Sequence, residues 1–210
     1  MATALDHSLE AGRRQVSQIV GRDPETLDEA GVSRAAIESL AESASDGVVA
    51  PLFWLLLGGL PGIALYKAIN TADSMVGHRD ERYRDFGWAS ARLDDLVNWI
   101  PARLTALLLA GAAFWVKEAD PEKAWSTALR DARKHNSPNA GWPEAAMAGG
   151  LGFSLGGPRQ YDGELVDLPA LGDGRRDLGP ADIRKAIELY AMMLNLALGI
   201  TLAIAVLLWN

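Results

Sequence analysis

Three short stretches of this 210-residue chain hold most of the side chains able to do chemistry. The first, "ESASDG" (42–47), sets Glu42 and Asp46 one helical turn apart, directly ahead of an apolar run. Ordinary helix termination at Gly47 is its plain alternative. The second, "YKAINTADSMVGHRDERYRDFGWASARLDDLVN" (66–98), carries Lys67, Asn70, Asp73, His78, Arg79 and the pair Asp94–Asp95. Lys67, Asn70 and Asp73 fall three apart, so a helix would present them on one face. Asp94–Asp95 beside Arg92 has the composition of a magnesium site, because Mg²⁺ takes one or two carboxylates plus phosphate oxygens. A solvated charged loop is the plainer reading. The third, "RDARKHNSPNAGWPEAAMAGG" (130–150), offers Lys134, His135, Ser137, Asn139 and Glu144. Pro143 suits the first turn of a helix, with Asn139 or Gly141 near its entry, and backbone N–H groups at such a start can cradle phosphate.

Several chemistries are excluded. The chain has no cysteine, which removes disulfides, thiolate nucleophiles and Cys-ligated zinc. A net charge of −7 disfavours nucleic acid as a main partner. No Walker loop, dinucleotide fingerprint, zincin helix or nucleophile elbow is present.

These polar stretches alternate with three apolar blocks, and the alternation predicts an all-α, polytopic membrane protein with re-entrant or broken helices. Residues 1–46 contain patches that read as helix, one around 25–30 and a second with Ser33 as the expected N-cap and an end near Ser43. The third block, from Leu189 to Trp209, is 21 residues with only Asn195 and Thr201 polar, long enough to cross a hydrocarbon core of roughly 30 Å. The second block, 96–116, contains Arg103, which must lie near an interface or face protein. In the first block "VVAPLFWLLL" is broken by "GGLPG". Ten helical residues cover about half a membrane, so the block is either a re-entrant hairpin or one kinked span.

Taken together, "IVGRDPETLDEAGVSRAAIESLAE", "SDGVVAPLFWLLLGGLPGIALYKAINTADSMVGH", "YRDFGWASARLDDLVNWIPARLTA" and "KHNSPNAGWPEAAMAGGLGFSLGGP" resemble the adenosylcobinamide-phosphate synthase (CbiB/CobD) family of cobalamin biosynthesis. The likeness follows the family's order along nearly the whole chain, as one domain over 1–210. It implies a bacterial inner-membrane ligase with its polar loops in the cytoplasm. Such a ligase joins adenosylcobyric acid to aminopropanol or its O-phosphate through an amide bond, with ATP as co-substrate and Mg²⁺. It also implies a further N-terminal membrane region, so that this chain is a fragment. Other cobalamin-assembly enzymes become expected partners. The family pattern has Asn after Glu42, where this chain has Ser43.

On this reading Lys134 and Arg79 neutralise phosphate, and Asp73, Asp94 and Asp95 hold magnesium. His78, His135 or Glu144 takes the proton from the attacking ammonium. Glu42, Asp46, Lys67, Asn70, Ser137 and Asn139 contact substrate. A non-catalytic membrane sensor or scaffold related to the family is the competing class, although a scaffold has no need for so many ionisable groups. One site built from 70–95 and 130–150 requires both stretches on the same side of the membrane. Single cysteines at Ser74 and Ser137 should therefore both react with an impermeant thiol reagent at the cytoplasmic face of inverted vesicles. Labelling from opposite faces would break the single-site reading.

Overall fold

The computed structural model describes residues 1–20, 23–76, 84–161, 164–166 and 168–209. Two short helices, α1 (Ala2–His7) and α2 (Leu9–Val16), open the chain, and the Ser8 hydroxyl between them caps the Ala11 N–H. Helix α3 (Glu29–Ala44) starts at Asp28, not at Ser33. The Asp28 carboxylate accepts the Gly31 N–H at 2.7 Å, which satisfies a donor of the first turn, while Ser33 is fully buried inside the helix. Nor does Gly47 end this helix: it continues through one π-turn (Ser45–Val49) into α4 (Ala50–Val76).

Helix α4 carries a break at Gly59, whose φ of 60° and ψ of −151° lie in a region that only glycine occupies freely. In a straight helix Asp46 and Tyr66 would stand about 30 Å apart, at roughly 1.5 Å per residue. Instead the Tyr66 hydroxyl lies 3.0 Å from the Asp46 carbonyl oxygen. The chain doubles back at Gly59, which makes the first apolar block a helical hairpin and not a single kinked span. The return limb crosses so close to the outgoing one that a Cβ at Gly62 would overlap the Trp54 carbonyl oxygen.

The return limb packs along α5 (Arg84–Val97), which passes through Asn98 into α6 (Trp99–Ala112). Helices α7 (Pro121–Asp131) and α8 (Gly141–Leu151) form an antiparallel pair on α6. Small side chains bring them together: Ala124, Ala128, Ala145, Ala146 and Ala148 are all buried. Among the described residues, four strands of two or three residues follow in the polar segment after α8. β1 (Leu155–Gly156) pairs with β4 (Ala170–Leu171), and β2 (Arg159–Tyr161) with β3 (Glu164–Val166), both antiparallel. Helix α9 (Pro180–Trp209) closes the chain. Its first half joins the core through Ile183, Ala186, Leu189 and Met193, whereas Leu198, Ile200, Leu202, Val206 and Leu207 are exposed.

Exposed apolar side chains lie on that free half, on the hairpin at Leu55–Leu57, Leu60 and Leu65, and along α5, α6 and the turn just after α6, as at Leu96, Trp99, Phe114 and Trp115. By length and composition two helical stretches can cross a membrane, Glu29–Met75 and Pro180–Leu207. The pair Gly87–Val97 and Trp99–Trp115 makes a third if its 45° bend is counted within one span. The first of these stretches is the one folded back at Gly59.

The hairpin gives a controlled test. Gly59→Ala forces a Cβ into a conformation that L side chains rarely adopt, and Gly62→Ala drives one into backbone. Each should lower stability by about 1–3 kcal/mol, read as an earlier loss of monodisperse protein in a detergent melting series. Gly58→Ala, where a Cβ meets open space, should leave the midpoint unchanged.

Candidate functional site: a polar layer at the base of the hairpin

A continuous chain of hydrogen bonds crosses the base of the hairpin. Lys67 Nζ donates to Asn70 Oδ1 at 3.1 Å, and Asn70 Nδ2 donates to Asp94 Oδ1 at 3.2 Å. The other carboxylate oxygen, Asp94 Oδ2, accepts from Asn98 Nδ2 at 3.0 Å. The Tyr66 hydroxyl lies 3.0 Å from both Asn98 Oδ1 and the Asp46 carbonyl and donates to one of them at a time. Tyr66 and Asn98 are each 1% exposed, so the bond between them is made out of water, where leaving it unmade would cost most. Asp46 stands within electrostatic reach of Asp94, Glu42 and Lys67. The layer thus gathers four of the residues expected on sequence, Asp46, Lys67, Asn70 and Asp94, and two that were not, Tyr66 and Asn98. Asn98 did leave a trace in the sequence: it is the lone polar residue of "LVNWI", one turn after Asp94.

A second cluster abuts α3. Ligand atoms of Glu42, His135 and Glu144 lie within 4.8 Å of one another, although these residues come from α3, the α7–α8 loop and α8. Glu144 is buried, Glu42 is exposed, and His135 Nε2 faces Glu144 Oε1 at 3.5 Å. His135 Nδ1 accepts the Ser137 N–H at 3.0 Å, so in that tautomer Nε2 carries the ring hydrogen toward Glu144.

The loop that presents His135 is held by its own polar groups. Ser137 Oγ accepts the N–H groups of Asn139 and Ala140, each at 3.2 Å, and so occupies donors expected to cradle phosphate. Asn139 is buried; its Nδ2 donates to the Asp95 carbonyl at 2.8 Å and its Oδ1 accepts from Arg103 at 3.2 Å. Arg103 lies between two indole rings, 4.3 Å from the Trp99 centroid and 4.8 Å from that of Trp142. The arginine that the second apolar block had to accommodate therefore faces protein and fastens the loop to α6. Stretches 94–98 and 135–144 meet through these contacts.

Two other expected residues turn to partners outside the layer. Lys134 Nζ is 2.6 Å from Asp131 Oδ1, and Asp95 directs its carboxylate to Arg92 at 4.0 Å. Asp73 sits half-buried one helical turn beyond Asn70. The two oxygens of Asp94 accept from Asn70 and Asn98. His78 and Arg79 lie outside the described residues.

The donor chemistry separates the two clusters. Asp46 and Asp94, with the amide oxygens of the layer, offer oxygen only, which fits magnesium. Glu42, His135 and Glu144 mix imidazole nitrogen with carboxylate.

Asp131 anchors the floor beneath the loop. It is 1% exposed and accepts a bidentate pair from Arg130 at 2.8 and 2.9 Å, the Lys134 contact, and the Gly172 N–H at 2.8 Å. The Arg130 hydrogen bonds, with Lys134 and Gly172 adding to them, outweigh burial and hold its carboxyl well below the usual carboxylate range.

The whole is a helical protein with membrane-length apolar helices and a carboxylate-rich polar layer at the foot of a hairpin. The profile of the CobD/Cbib protein family matches residues 1–190, and the chain belongs to that family. It is 57% identical over 206 residues to "Cobalamin biosynthesis protein CobD" of Brucella anthropi, covering 97% of this chain and 63% of that protein. The proteins of the same name from Rhodobacter capsulatus and Rhizobium meliloti are 55% and 56% identical. Those matches cover 96% and 87% of this chain, and 62% and 56% of the relatives. The chain thus spans under two thirds of the length of these relatives. No solved structure gives a significant match.

The depressed Asp131 pKa has a sign that can be tested. Its contribution is complete above the unfolded carboxylate value of about 3.9 and is lost as pH falls from there toward the folded value. Asp131→Asn should cost about 2–4 kcal/mol at neutral pH, by breaking a buried pair. It should also flatten the fall in melting temperature of the parent protein below pH ~4.

Proposed function

We propose that the chain is the larger part of a cobalamin-biosynthesis ligase of the bacterial inner membrane, with its polar layer open to the cytoplasm. The reaction joins a carboxylate of adenosylcobyric acid to the amine of aminopropanol or its O-phosphate. An unactivated carboxylate does not form an amide at neutral pH, because oxide is a poor leaving group. Transfer of the ATP γ-phosphoryl to that carboxylate gives an acyl phosphate and ADP. Attack by the amine on the acyl carbon then releases inorganic phosphate, and the proton of the original ammonium passes to the protein. The corrinoid, the amine and the lipid bilayer are the partners of this reading, and other enzymes of cobalamin assembly are candidates for contact.

The observation that carries it is the convergence of the polar layer with the His135–Glu144 pair in a member of the CobD/CbiB family. Phosphoryl transfer depends on positioning and charge neutralisation more than on covalent work by the protein. Asp46 and Asp94 would hold magnesium, which when bound neutralises phosphate oxygens. Lys67 reaches the layer as its cation and suits a phosphate directly. Glu144, with His135 Nε2 at 3.5 Å, would receive the ammonium proton. Glu42 and Asn70 line the approach and suit polar groups of the substrates. Lys134 and the 137–139 segment serve by holding the loop.

In lipid, the purified chain should turn ATP over repeatedly only when the corrinoid acid and an aminopropanol are both present. Asp94→Asn should cut that Mg²⁺-dependent turnover about 100-fold. Asp95→Asn, whose carboxylate turns to Arg92, should change it by less than about threefold. Repeated ATP turnover without the amine, or equal effects of the two substitutions, would overturn the reading.

A further inference from the structure

We propose that Glu42, His135 and Glu144 form a binding site for a divalent first-row transition metal, distinct from any magnesium held by the Asp94 layer. Three ligands converge from distant parts of the chain, and one ligand atom of each lies within 4.8 Å of the other two. Ligands on one such ion, each about 2.0–2.2 Å from it, stand roughly 3–4 Å apart. The His135 Nε2 to Glu144 Oε1 distance of 3.5 Å is already in that range. The Glu42 carboxylate closes the set by a rotamer adjustment at an exposed position on α3.

Burial is graded in the way an accessible metal site requires. The Glu144 side chain is 1% exposed and forms the floor, and that of His135, at 20%, forms the wall. Glu42 is exposed at the mouth and gives an ion its entry path. Two carboxylates and an imidazole also form a set that is anionic before the ion arrives and nearly neutral afterwards, which favours a dication over an anion.

The surroundings of His135 suit ligation. Nδ1 is 3.0 Å from the Ser137 nitrogen and 3.4 Å from the Ser137 carbonyl oxygen, so each tautomer finds a partner on the same residue. With a metal on Nε2, the ring hydrogen moves to Nδ1 and is donated to that carbonyl, the outer contact that metal-bound histidines commonly make. The imidazole selects against Mg²⁺ and Ca²⁺, which favour oxygen, and for ions such as Mn²⁺ and Zn²⁺. Three protein ligands leave coordination positions open to water. Metal and proton are alternatives at Nε2, so an occupied site withholds the pair from proton transfer. That consequence rests on the proposed chemistry, and the binding does not.

The test uses the whole chain in lipid nanodiscs, stripped with chelator and titrated with Mn²⁺ or Zn²⁺ in the absence of ATP and corrinoid. One equivalent should bind and resist a large excess of Mg²⁺. The bound Mn²⁺ should show ¹⁴N modulation in pulsed electron paramagnetic resonance, and His135→Gln should abolish it. Glu144→Gln and Glu42→Gln should each weaken binding by about 10–100-fold. His7→Gln, at an exposed position of α1, should change nothing. Modulation that survives His135→Gln, affinity unchanged in Glu42→Gln, or displacement by equimolar Mg²⁺ would overturn the proposal. Glu42 is exposed, so its variant decides the matter if Glu144→Gln fails to fold. Because no substrate is present, failure here is separate from failure of the ligase reading.

Discussion

The Asp94 carboxylate is the interaction on which the rest of the structure depends. An apolar hairpin that turns back on itself brings backbone and side-chain polar groups to a place where water is scarce. Those groups must find partners within the protein. Asp94 supplies two acceptors at one point, and Asn70 from the return limb and Asn98 from the α5–α6 junction fill them. Tyr66 then joins Asn98 to the carbonyl of Asp46, and the Trp54 indole donates to the Val97 carbonyl at 3.1 Å. Both limbs and the bend between two helices are thereby fixed to each other by a few bonds. The polar layer is a requirement of the fold before it is anything else, and its anionic character is a by-product available for chemistry.

Much of this was legible in the sequence, but only where the signal is local. Gly-Gly followed by Pro-Gly in an apolar run marks a break. The choice between a kink and a reversal needed Tyr66 beside Asp46, a contact between residues 20 apart. Arg103 announced that the second apolar block could span only with its arginine at an interface or against protein. That it would lie between Trp99 and Trp142 and bond to Asn139 depends on residues up to 39 positions away. At the start of α3, Ser33 and Asp28 are both good caps by type; which one caps is decided by the Gly31 N–H, which only Asp28 is placed to meet.

The candidate site shows the same division. Residue type and spacing selected Asp46, Lys67, Asn70 and Asp94, which the fold gathers. They selected Asp95 and Lys134 with equal force, and those side chains turn to Arg92 and Asp131 instead. Adjacent residues on a helix point about 100° apart, so of the pair Asp94–Asp95 only one could face the layer. Type alone does not say which. Tyr66 and Asn98 escaped notice because their role is to satisfy other polar groups, and such a role has no motif.

The π-turn at Ser45–Val49 carries one further consequence. A single π-turn holds one residue more than the α-helix around it, so everything beyond is rotated by about 100° relative to α3. It acts as a phase shifter between the core-facing stripe of α3 and the direction in which the hairpin leaves. A sequence shorter by one residue here would close into unbroken α-helix with no loss of helical content. Its hairpin would leave on a different bearing, with the Trp54 indole and the Tyr66 hydroxyl turned from their acceptors. In this stretch chain length, more than side-chain identity, sets the aim of the membrane-facing part of the molecule.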